Sequence, residues 1–268
     1  LIAFVPLCIG LYEKTDEKSL IFVVVMQTIA ANLGSMLTPI GNPQNLYLFS
    51  AFGMSGKDFF VTILPYAALS LVLTVVSVLF IKKEKIDFKQ DTENEKPNTF
   101  RCALYAVLFA LAILTVFRVI PFEITLAVSV IVIIVADRKT LLKVDYSLLF
   151  TFIFLFIFIG NLKNIESVSN FLGSIVKGNE VLAGVACSQV FSNVPAALLL
   201  SGFTSDANNL LIGVNLGGLG TLIASMASLI SFKIIAKEKI SAGRYMAVFT
   251  AVNVAFLALN LALWVVIR

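Results

Sequence analysis

The stretch Asn32-Leu33-Gly34-Ser35-Met36-Leu37-Thr38-Pro39-Ile40-Gly41 recurs 183 residues later as Asn215-Leu216-Gly217-Gly218-Leu219-Gly220-Thr221-Leu222-Ile223-Ala224. Asn, Leu, Gly, Thr and Ile match at one constant offset. Each copy lies inside a long uncharged run, Ser19 to Gly56 and Ala207 to Phe232, and places Gly, or Gly and Pro, near its middle. Such a run enters a membrane as a helix and breaks part-way, because Pro lacks an N–H and Gly weakens the helix. Two interrupted apolar segments at corresponding places in two halves of a chain are a sequence pointer to a secondary transporter's binding site.

Composition excludes a soluble alternative. Of 268 residues, 59% are hydrophobic and only 13% charged, with a mean hydropathy of +0.97, so the chain reads as an all-α polytopic membrane protein. The absence of His removes His-based metal sites, general bases and proton relays. Cys8, Cys102 and Cys187 are widely spaced in apolar segments and read as small buried hydrophobes. The chain opens within an apolar run, Leu1 to Leu11, which suggests the later two-thirds of a longer protein.

Charge-free runs mark the spans. Phe59 to Ile81 crosses once. Cys102 to Ala136 is cut by Arg118, Pro121 and Glu123 into two helices, and Tyr146 to Leu162 is a short span. Tyr245 to Ile267 is the last. The polar segment 82–101 is a linker between residues 1–81, the end of a first repeat, and residues 102–268, a second repeat. With the linker in the cytoplasm, 15 Lys and Arg lie inside and 5 outside, as the positive-inside rule requires. That balance holds only if 181–205 enters and leaves from the same side, as a re-entrant hairpin with Phe191-Ser192-Asn193-Val194-Pro195 at its tip. The broken helix near 207–232 then runs opposite to the first, which makes an inverted repeat.

Three motifs resemble the ion transporter superfamily of divalent anion–sodium symporters, citrate permeases, arsenite-antimonite pumps and related sodium–proton antiporters. They are Thr38-Pro39-Ile40-Gly41-Asn42-Pro43-Gln44-Asn45, Phe191-Ser192-Asn193-Val194-Pro195 and Gly217-Gly218-Leu219-Gly220-Thr221. The resemblance implies two inverted repeats, each with a re-entrant hairpin and a broken helix, and sodium and substrate bound at the tips and breaks. It implies a homodimer in an inner (plasma) membrane. Family tips carry Ser-Asn-Thr, and Val194 takes the Thr position here, removing one hydroxyl. Leu1 to Leu11 resembles the returning arm of the first hairpin, whose tip is then expected upstream.

The chemistry suits these residue types. Unwound backbone carbonyls can ligate sodium, and Gly41, Gly217, Gly218 and Gly220 let the backbone come close. Oxygens of Thr38, Asn42, Ser192, Asn193 and Thr221 can complete the shell, with Asn42, Ser192, Asn193 and Thr221 as the sodium set. Pro43 and Val194 line the same places. Half-helix N-termini attract anions without Lys or Arg. Ser225 and Ser228, and Asn253 and Asn260, are expected to make interhelical bonds, and Asp206 to cap the following helix. The expected function is sodium-coupled uptake of a small anion, a di- or tricarboxylate or an inorganic anion, by alternating access. The alternative is sodium–proton antiport or metalloid efflux on the same fold. No catalytic pairing, cofactor or nucleic-acid motif is legible; the expected partners are the anion and the bilayer.

Overall fold

The structure is a computed structural model of the whole chain that describes residues 1–12, 16–81, 98–142, 144, 146–238 and 240–268. Most of the linker, 82–97, lies outside the described residues. Among those described every regular element is a helix. They are α1 (Phe4–Tyr12), α2 (Glu17–Ser35), α3 (Pro43–Ala51), α4 (Gly56–Val78), α5 (Thr99–Val116), α6 (Phe122–Leu141), α7 (Tyr146–Lys163), α8 (Glu166–Val176), α9 (Glu180–Phe191), α10 (Asn193–Leu200), α11 (Ala207–Leu216), α12 (Met226–Ile235) and α13 (Ala242–Ile267), with a 3₁₀ turn at Leu222–Ala224.

Helix starts follow local chemistry. Ser55, Asn98, Asp206 and Ser241 each accept a backbone N–H from the residue three ahead, as N-caps do. Asp206 thus caps α11 through Asn209 N at 3.0 Å, as its position suggests. By length and apolarity α2, α4, α5 and α13 can each cross a membrane, and α7 and α8 qualify as a pair. The 19 residues of α2 rise about 28 Å, close to the thickness of a bilayer's hydrocarbon core. The chain is an all-α polytopic membrane protein. Val61, Leu64, Leu71, Val72 and Val75 of α4 are exposed, as lipid-facing residues are.

The described residues of 89–158 form one compact unit. In it α5 and α6 are joined by a tight turn in which Arg118 adopts φ 60° and Pro121 precedes the first turn of α6. Thr115 and Thr125 bond at 2.6 Å across the two helices. Asp137, at non-helical φ −158° within α6, accepts from Tyr105 at 3.1 Å and pairs with Arg101 at 3.4 Å.

The described residues of 1–88 and 159–268 form the other unit. Its core includes Ile21, Val24, Val25 and Ile29 of α2, Leu210, Leu211 and Val214 of α11, and Tyr245 and Phe249 of α13. Ser70 of α4 donates to Asn260 of α13 at 3.4 Å. Asn253 differs from the expectation of an interhelical bond: its amide donates to Phe249 O of its own helix at 2.8 Å, the nearest acceptor a helix offers.

The α9–α10 hairpin turns at one residue. Ser192 takes φ 72°, ψ 154°, a conformation rare outside Gly. With 12 and 8 residues, these helices rise about 18 and 12 Å, so neither can cross the membrane alone. α9 packs on α11 through Gly184 and Gly213. A Cβ on Gly213 would sit 2.7 Å from Val181 O, and one on Gly184 would sit 2.9 Å from Gly213 C.

Candidate functional site

The breaks of the two long apolar runs are where the repeat has its geometric consequence. In the first, α2 ends at Ser35 and α3 begins at Pro43, with extended Asn42 as the cap, its side chain accepting Asn45 N at 2.9 Å. In the second, α11 ends at Leu216 and α12 begins at Met226, with extended Ser225 as the cap, accepting Ser228 N at 3.1 Å. Pro43 and Met226, Asn42 and Ser225, and Asn45 and Ser228 are all 183 apart, so the sequence offset also relates the two half-helix starts.

The two repeat-leading asparagines exchange partners. Asn32 Nδ2 donates to Ser225 Oγ at 2.9 Å and approaches Ser228 Oγ and Gly218 O at 3.5 and 3.4 Å. Asn215 Nδ2 donates to Asn45 Oδ1 at 2.6 Å, and Asn42 Nδ2 donates to Asn215 Oδ1 at 3.1 Å. Each asparagine therefore reaches the cap and third residue of the other broken helix, the pattern a local two-fold relation gives. Ser225 and Ser228 make the interhelical bonds expected of them.

The hairpin tip meets the second break. Ser192 Oγ donates to Ala224 O at 3.4 Å. Asn193 is buried, with its Nδ2 2.9 Å from where a Gly218 Cβ would stand. Gly217 leaves similar room for Ser188. Val194 is buried and presents no hydroxyl. Thr221 is exposed, and its N–H and hydroxyl both go to Gln189, at 2.9 and 3.3 Å.

At the first break, Gly41 turns tightly enough that a Cβ would strike the Ser35 carbonyl. Thr38 O accepts Gly41 N and Asn45 Nδ2, both at 3.1 Å. The structure thus brings Ser192, Asn193, Gly217, Gly218, Gly220 and Thr221 together around one break. It brings Thr38, Gly41, Asn42 and Pro43 together around the other. Among the described residues no hydrogen bond joins Thr38, Gly41 or Pro43 to the hairpin tip; Asn42 reaches the second broken helix through Asn215.

Sequence reasoning gave no role to Gln189, Asn45, Asn32 or Asn215. Gln189 Nε2 donates to Gly217 O at 3.0 Å and Leu219 O at 2.9 Å. The available signal was position: Gln189 precedes the tip by three residues, and Asn32 and Asn215 lead the two repeat copies. Among the described residues no three of His, Cys, Asp and Glu converge, and the side chains bonded at the two breaks, Asn32, Asn42, Asn45, Gln189, Asn215 and Ser225, are neutral amides and hydroxyls.

Gly220 has φ 110°, and a Cβ there would press on the Gln189 carboxamide. Gly220→Ala is therefore expected to destabilise by about 2 kcal/mol. Gly218→Ala, at an ordinary φ and facing a movable amide, should cost less. Thermal melting of the two purified variants checks this order.

Comparison with known proteins gives the family. The family described as Citrate transporter matches residues 1–212. An uncharacterized transporter of Methanocaldococcus jannaschii is 36% identical over 250 residues, covering 92% of this chain and 68% of the relative. The inner membrane protein YbiR of Escherichia coli is 29% identical over 242 residues, covering 85% and 62%. A transporter named arsB from Dictyostelium discoideum is 30% identical over 84 residues, 31% of this chain and 15% of that protein. The chain spans about two thirds of the length of the first two relatives. A family match over residues 1–212, which takes in the first break and the α9–α10 hairpin, on a chain of membrane-length helices, places this protein in the citrate transporter family of membrane transporters.

Proposed function

We propose that the chain belongs to a sodium-coupled secondary transporter of a small anion, a di- or tricarboxylate or an inorganic anion, working by alternating access. The observation that carries this reading is the pair of broken helices whose half-helix starts, at Asn42 and Ser225, are tied to each other's repeat by Asn32 and Asn215. Orphan N–H groups at such starts favour anions, and the neutral oxygens of Asn42, Ser192, Asn193 and Thr221 with the unwound backbone suit sodium. The protein lies in the inner membrane with linker 82–101 in the cytoplasm.

Proton antiport on the same fold would need an ionisable group at the site. Among the described residues Glu180 is the one buried acid. It stands at the wide end of the hairpin, where its Oε1 accepts Thr204 Oγ1 at 2.7 Å and Gly178 N at 3.1 Å. That placement makes it a clasp of the hairpin mouth and favours anion uptake. Metalloid efflux needs no such group and is the second reading.

The test is uptake of citrate, succinate, sulfate and arsenite into proteoliposomes of the full-length protein, with and without an inward sodium gradient. The expected result is sodium-stimulated uptake of one anion, abolished by Asn193→Ala in a protein that still melts cooperatively. Sodium-independent transport in both proteins would refute the coupling, and arsenite extrusion alone would move the assignment to efflux.

A further inference from the structure

Unwinding a helix in a membrane releases carbonyls that water cannot reach, and each must find a donor. At the second break that donor is one carboxamide. Gln189 Nε2 lies 3.0 Å from Gly217 O, 2.9 Å from Leu219 O and 3.2 Å from Val185 O, while its Oε1 accepts Thr221 N at 2.9 Å. Three backbone oxygens thus surround one nitrogen, as they would surround a small cation. Asn45 does the same at the first break, donating to Met36 O at 3.0 Å and Thr38 O at 3.1 Å.

The two amides differ in freedom. Asn45 is fully buried, and its Oδ1 is held by Asn215. Gln189 is half-buried on a longer side chain, and its carboxamide bonds only backbone. Gly220, without a Cβ, leaves it room.

Building on the sodium-coupled reading above, we infer that the Gln189 carboxamide is a stand-in for the coupling cation: it satisfies the Gly217 and Leu219 carbonyls in the empty carrier and is displaced when sodium binds. Asn45 is the fixed counterpart that braces the first break. Gln189 is a positioning residue, acting on the ion through carbonyls it occupies. Two consequences follow. Sodium binds against an internal competitor, so its affinity is lower than the carbonyl cage alone would give. The empty carrier keeps its break satisfied, so it can return across the membrane without an ion.

The test uses the purified full-length protein, with Gln189→Met removing the donor and Gln189→Glu replacing it with an oxygen in the same shape. Melting is followed against sodium, with potassium holding ionic strength constant. In both variants half-maximal stabilisation should need about tenfold less sodium, the equivalent of losing about two competing hydrogen bonds, and the sodium-free protein should melt lower than wild type. In proteoliposomes, net uptake of the anion should slow while exchange against the same anion inside persists, because only net uptake needs the empty carrier to return. A brace with no ion role would slow both and weaken sodium binding. Unchanged or weaker sodium affinity in either folded variant overturns the inference; if Gln189→Met fails to fold, Gln189→Glu decides. Wild-type protein that sodium does not stabilise overturns both this inference and sodium coupling. Sodium stabilisation without uptake of any tested anion strikes only the substrate reading, and the melting result then decides the stand-in.

Discussion

Asn215→Leu should destabilise the protein by about 2–4 kcal/mol and abolish transport, whereas Asn32→Leu, at the matching place in the other repeat, should cost only about 1 kcal/mol. The asymmetry comes from what each asparagine leaves behind. Asn215 is buried and serves both Asn45 Oδ1 at 2.6 Å and Asn42 Nδ2 at 3.1 Å. Removing it strands the fully buried Asn45 oxygen and one amide hydrogen bond of the residue that caps α3. An unpaired buried polar group costs about 1–3 kcal/mol, moderated because interhelical bonds in membranes average about 0.6 kcal/mol. Asn32 is half-buried and makes one short bond, to Ser225. When it is lost, Ser225 and Ser228 still bond each other at 2.8 Å. Melting of the two variants in detergent, alongside uptake, measures both effects. A larger loss for Asn32→Leu would show that the tie to Ser225, and not the one to Asn45, holds the breaks in register.

What the sequence revealed of this site was what local composition encodes. Gly and Pro inside uncharged runs located both breaks, because those residues interrupt helices wherever they stand. The charge balance required a segment that does not cross, and a 12-residue and an 8-residue helix turning at Ser192 are too short to cross. Asp206 followed from capping chemistry alone. The partners of the side chains were not legible. Gln189 reaches residues 28 and 30 positions away, and Asn32 and Asn215 reach 170 to 196 positions. No periodicity records such pairings. Nor did it reveal that Thr221 would direct both its N–H and its hydroxyl to Gln189, or that the non-Gly residue Ser192 would take the positive φ. A Gly in a membrane helix was equally ambiguous, since loop freedom and close packing both select it. The structure separates the two roles: Gly220 needs its φ of 110°, while Gly184 and Gly213 are needed for approach.

That separation gives the other large expected effect. Gly213→Ala should destabilise by at least about 2 kcal/mol, despite the roughly 1 kcal/mol that Ala gains over Gly in a helix interior. The added Cβ would lie 2.7 Å from Val181 O, 2.8 Å from Glu180 O and 2.8 Å from Val181 Cα. These are backbone atoms of α9, so no rotamer change relieves the clash and the whole helix must shift. α9 is poorly placed to do so. Glu180 is clasped by Thr204 at one end, and Gln189 is bonded into the break near the other. A displaced α9 would carry the hairpin tip away from Gly218 and Ala224, so under the proposed sodium coupling the sodium-dependent stabilisation should fall together with the melting temperature. Gly173→Ala in α8 and Gly243→Ala in α13 are the controls, because a Cβ at either position meets nothing within 4 Å. They should be neutral or slightly stabilising. Equal melting temperatures for Gly213→Ala and the controls would mean that α9 and α11 can separate freely. The close crossing would then be incidental to the hairpin's position, and the link from helix packing to the proposed ion site would fail with it.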